Sequence, residues 1–149
     1  MTQVLRLLQQ LEAGLDPAHP RGVEVLAYGE ISAALVVPGL EGKVAKRMSG
    51  FADRAMATAY CRLVDDYVAA VRSDGISVVT TEVVLVDRPS RPPVVYLVQP
   101  LVGDLGHHAL HSASDVELAG SIQMVLDRVW MVHRRAGRLE VAIDAQLSN

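Results

Sequence analysis

Two polar residues in IDAQLSN (143–149), Asp144 and Asn149, stand five positions apart behind a strand-like run, RLEVAID. That spacing offers a proton acceptor for an attacking hydroxyl and a neutral oxygen ligand for Mg²⁺; an Asx-rich loop is the plain alternative. Lys46, near the end of the mostly apolar VAKRM (44–48), is placed either to hold nucleotide phosphates or to snorkel to water. LAYGEISAA (26–34) puts the small residues Ala27, Gly29 and Ser32 where close backbone approach to a phosphate favours short side chains, although a hairpin turn needs no ligand. VQPLV (98–102) is an extended segment whose Gln99 and Leu101 would bring backbone donors and acceptors to a purine ring. His107 and His111 in HHALH are four apart, so a helix would put them on one face as metal ligands require, but no third ligand is evident.

The elements that must position these residues follow from periodicity. Val4, Leu5, Leu8 and Leu11 form one stripe of a helix capped by Thr2 and stopped near Gly14. DPAHPRG (16–22) is a connection, after which VEVLAY, ISAALVV and KVAKRM read as an antiparallel meander with a turn at PGLEG (38–42). From Phe51 to Arg72 the period becomes helical, with Ala52, Met56, Ala59, Leu63, Tyr67 and Val71 as the expected buried face. Ser73-Asp74-Gly75 ends that helix, and SVVTTEVVLV and PVVYLVQPLV follow as strands around DRPSRPP. A short helix is expected over 104–111. A longer one opens at Ser114 with Glu117 three places on, a capping box, and its apolar face carries Leu118, Ile122, Leu126 and Val129. Strands clustered around a single intervening helix predict an α+β fold.

Composition narrows the function classes. The 149 residues are 50% hydrophobic and 21% charged, which is globular, and the net charge of −3 has no basic stripe to attract nucleic acid. No apolar run reaches the ~20 residues of a membrane-spanning helix. The N-terminus is an amphipathic helix rather than a signal peptide, and the single Cys61 fits a reducing compartment, so the expected location is the cytoplasm. Cys61 itself reads as a buried, inert thiol within a helix.

Taken in order, the small-residue loop, strand lysine, helix, two strands, linker, long helix (ending MVHRRAG) and D-x-x-x-x-N resemble the protein-kinase-like superfamily from about Val23 to Asn149. The likeness is closer to the divergent aminoglycoside phosphotransferase group than to eukaryotic protein kinases. It implies a five-stranded antiparallel N-lobe with a leading helix (1–98), then a hinge and the first helices of an incomplete C-lobe (99–149). It also implies ATP and Mg²⁺, with Ala27, Gly29, Ser32, Lys46, Gln99 and Leu101 binding nucleotide, Asp144 as catalytic base and Asn149 as metal ligand.

The chain departs from that pattern at several places. Ala27 and Ser32 stand where glycines are usual, and Ala142 and Ile143 where His-Arg or His-Gly precede the aspartate. Gln146 replaces a common lysine. No glutamate lies between 51 and 73, leaving Asp53, Asp65 or Asp66 to steady Lys46. The Asp-Phe-Gly segment would follow Asn149, so the expectation is the N-terminal part of a longer phosphotransferase, inactive alone and self-associating through its last long helix. The rival expectation is a non-catalytic interaction module of the same architecture.

Overall fold

Thr2 opens helix α1 (Gln3–Gly14) by accepting a hydrogen bond from the Leu5 amide at 3.3 Å. The computed structural model describes residues 2–15, 23–28, 32–73, 75–102 and 112–135. Within these, β1 (Glu24–Tyr28), β2 (Ser32–Val36) and β3 (Lys43–Met48) form the expected meander, and α2 (Arg54–Ser73) leads to β4 (Glu82–Arg88) and β5 (Arg91–Pro100). The last described element is α3 (Asp115–Arg135). The short helix expected over 104–111 and the strand leading to Asp144 lie outside the described residues.

All five strands join one antiparallel sheet in the order β1-β2-β3-β5-β4, so the fold is α+β. Strand alternation gives this sheet two faces. On the first, Leu35, Val37, Ala45, Val84, Val86, Val94, Tyr96 and Val98 are buried with Leu8, and Val4, Leu5, Leu7 and Leu11 of α1 pack against them. On the second, Met48 and Val95 bury Ala57 of α2, with Phe51, Tyr60, Cys61, Val83, Leu85 and Leu97 around them. The turn between β2 and β3 needs glycine at residue 39 twice over: its φ is +86°, and a Cβ there would come within 3.2 Å of Leu7.

The chain divides into two units, Met1–Asp66 with Val79–Leu101, and Tyr67–Val78 with Val102–Asn149. The first holds α1 and the sheet; the second holds α3. The α3 start is the capping box its sequence announces, with the Ser114 amide and hydroxyl donating to Glu117 at 2.9 and 2.7 Å and the Glu117 amide donating to Ser114 Oγ at 3.4 Å.

Two expectations are corrected. On α2, Met56, Ala59, Leu63 and Tyr67 of the expected face are exposed and Val71 is buried as expected; the covered stripe is Ala57, Tyr60, Cys61, Val64, Val68 and Val71. Both stripes satisfy helical periodicity, and the small side chain of Ala57 is what lets the helix approach Met48 and Val95 closely. The fourth strand begins at Glu82 rather than Ser77. In the observed register Glu82 faces Val98, so Thr80 would face Pro100, which has no amide to donate. No described helix is long and apolar enough to cross a membrane.

Candidate functional site

β3 carries the site residues. Alternation sends Val44, Lys46 and Met48 to the α2 face and Ala45 and Arg47 to the α1 face. Across the sheet Ala27 pairs with Ala34, Ala34 with Lys46, Lys46 with Leu97 and Leu97 with Val83. Lys46 is exposed and stands in this rank with two alanines on one side. The short neighbours lie on its β2 side, while on the other side Leu97 packs with the Ala57 cluster of α2. Ser32, paired with Met48, and Gln99, paired with Val44, point to the same face.

The structure therefore brings Ala27, Ser32, Lys46 and Gln99 together on one sheet face. Of the two purine-facing residues, Gln99 is engaged through its side chain and Leu101 through its backbone amide. The Gln99 side-chain amide donates to Thr81 Oγ1 at 2.9 Å, and the Leu101 amide donates to the Gly42 carbonyl at 2.8 Å. Gly29, Asp144, Asn149, His107 and His111 lie outside the described residues.

No acid of α2 steadies Lys46. Asp53 caps that helix, accepting from the Met56 amide at 2.8 Å, while Asp65 and Asp66 are exposed and form no ion pair among the described residues. Cys61 is half-buried, and burial together with the charge of Asp65 pushes its thiol up, so it is a weak nucleophile as its helical position suggests.

Among the described residues, the most heavily bonded polar group lies on the other face, and sequence reasoning passed over it. Glu12 of α1 is 7% exposed and sits over three strands. Its Oε1 accepts from Arg47 Nε at 2.6 Å and from the Tyr96 hydroxyl at 2.5 Å. Its Oε2 accepts from Arg47 Nη2 at 3.2 Å and Arg88 Nη1 at 3.4 Å, and Arg88 Nε also donates to the Pro92 carbonyl at 2.6 Å. Burial alone would raise the Glu12 carboxyl, but the hydrogen bonds from Arg47 and Tyr96 and the two guanidinium charges outweigh it and hold the group below its ordinary value. Burial and the bond to Glu12 drive the Tyr96 phenol far upward, so it stays a neutral donor. One signal was available: Glu12 falls on the stripe of Leu5 and Leu8, where an acid on an apolar helix face must find partners.

Fold and site together define an α+β protein with an exposed lysine on the α2 side of its sheet and helix α1 ionically docked on the opposite side. Neither the family models, nor the curated proteins, nor the solved structures compared with this chain include a match.

Proposed function

We propose that this chain binds ATP on the Lys46 face of its sheet, as part of a kinase-like phosphotransferase acting on a hydroxyl acceptor. The supporting observation is the rank Ala27–Ala34–Lys46–Leu97, an exposed lysine with two alanines beside it on the central strand of an antiparallel sheet. Those residues suit a polyphosphate: the ammonium supplies charge, and the alanines with Ser32 admit the phosphates close to the backbone. The insertion of α2 between β3 and β4 agrees with the element order that the sequence resemblance implies.

In this reading Lys46 holds phosphates without a helix carboxylate, Asp144 orients the acceptor hydroxyl and Asn149 binds Mg²⁺. ATP supplies the transferable phosphoryl group, and Mg²⁺ neutralises its oxygens. Since the Leu101 amide is bonded to Gly42, its contribution to a base is confined to its carbonyl.

Thermal unfolding with and without ATP–Mg²⁺ tests the proposal. A ligand at 100 times its Kd stabilises the folded state by about 2.7 kcal/mol. Lys46→Ala should abolish that gain and change unliganded stability by no more than about 0.5 kcal/mol, because the side chain is exposed. Folded protein that shows no shift at millimolar ATP would sink the nucleotide reading.

Self-association through α3 is expected under this reading and equally under the alternative, a non-catalytic interaction module. Val116, Met124 and Leu126, distributed around α3, are 83%, 58% and 57% exposed, and exposed apolar side chains favour association. Light scattering is expected to show dimers or larger species at high concentration, and Met124→Lys with Leu126→Lys to return the chain to monomer. A wild-type chain that stays monomeric rejects self-association through α3.

A further inference from the structure

We infer that Glu12 is a positioning residue for the Lys46 site, and that α1 and a ligand on the opposite face of the sheet are coupled through it; this rests on the nucleotide reading above. The argument begins with adjacency. Lys46 and Arg47 are successive residues of β3 and point to opposite faces, so whatever holds Arg47 also sets where Lys46 projects. Arg47 pairs across the sheet with Tyr96, and both members of that pair donate to the same oxygen of Glu12. Arg88 of β4 reaches the other oxygen. One carboxylate on α1 thus ties together β3, β5 and β4, and its Arg47–Tyr96 attachment is one rank away from Lys46↔Leu97↔Val83.

Strand register matters here more than strand stability. A slip of one residue would turn Lys46 toward α1 and Arg47 toward the α2 face. The Glu12 bonds oppose that slip, because Arg47 and Tyr96 can meet one carboxylate oxygen only when they stay opposite each other. A ligand held by Lys46 favours the same register from the other side. Two binding events that favour one arrangement strengthen each other reciprocally, so ATP should tighten α1 docking as much as docked α1 tightens ATP.

Tyr96→Phe is the mild variant: it keeps the buried ring and removes one bond to Glu12. Glu12→Gln is the stronger one. In the full 149-residue chain, calorimetry should show ATP–Mg²⁺ binding weakened about 5-fold or more in each folded variant. Amide hydrogen exchange supplies a readout that a purely structural role would not move. Saturating ATP–Mg²⁺ should slow exchange in α1 of the wild type and leave it unchanged in Lys46→Ala. Without ligand, both Glu12→Gln and Tyr96→Phe should speed exchange at residues 44–48 more than in the Ala57–Val95 cluster. Unchanged ATP affinity in both folded variants, or ATP binding with no effect on α1 exchange, overturns the coupling. If the wild type binds no ATP, the nucleotide reading fails by itself, and the ligand-free exchange of β3 still decides whether Glu12 positions that strand.

Discussion

Glu12→Ala is expected to destabilise the fold by about 3–5 kcal/mol, the range seen when one partner of a buried ion pair is removed. The truncation would leave Arg47 and Arg88, whose side chains are 21% and 16% exposed, facing each other without the carboxylate that neutralises them. Tyr96, fully buried, would lose its acceptor as well. Against a total stability of about 5–15 kcal/mol for an ordinary domain, that loss would be evident in a urea titration as a lower midpoint. The deficit comes from uncompensated charge rather than from the absence of a strong bond. Replacing the group together, as Glu12→Leu with Arg47→Met, Arg88→Leu and Tyr96→Phe, should therefore recover most of the stability. A quadruple variant no better than Glu12→Ala would show that the ion network itself supplies net stabilisation.

The same network sets a pH dependence whose sign is fixed. The folded Glu12 carboxyl lies below its ordinary value of 4.5, so its contribution is complete above that value and is lost as pH falls through the folded one. Glu12→Gln should flatten this acid limb. Tyr96 acts in the opposite direction: its phenol is raised in the fold, so its contribution is complete below its ordinary value of 10.0 and declines as pH rises toward the folded one. An acid limb of unchanged slope in Glu12→Gln would remove Glu12 from the explanation.

Leu8→Ala is expected to cost about 2–5 kcal/mol, because a fully buried side chain would leave a cavity that a helix lying on a sheet cannot close. Leu8 is 0% exposed and one turn from Glu12, so the same face of α1 joins apolar burial to the ionic bonds. Leu63→Ala on α2 is the matched control. Its side chain is 64% exposed, and the change should stay within about 0.5 kcal/mol. Equal losses at Leu8 and Leu63 would contradict the buried stripe of α2 and return the helix to the face its apolar spacing first suggested.

Much of the first candidate site was legible in the sequence. Alternation along VAKRM places Lys46 opposite Arg47 whatever the sheet does, and the small residues before β3 were visible as a set. What was not legible is the state of the groups around them. The Leu101 amide looked free because VQPLV reads as a connection, yet it bonds to Gly42, a residue 59 positions earlier. Asp53 was one of three acids available to Lys46, and the structure assigns it to the start of α2.

Local chemistry by itself determined the elements of this protein: Thr2 and the Ser114–Glu117 box start helices, Gly39 turns β2 into β3, and alternating apolar residues make the strands. These signals lie within a few residues of the atoms they govern, so they act in the same way in any surroundings. Tertiary structure alone decided that β5 lies between β3 and β4, that α2 buries Ala57 rather than Met56, and that Glu12 turns inward. Each of those outcomes depends on partners distant in sequence, 35 positions for Glu12 with Arg47 and 84 for Glu12 with Tyr96. A carboxylate near the end of a helix is stable in water or beneath two arginines, and only the folded sheet supplies the arginines.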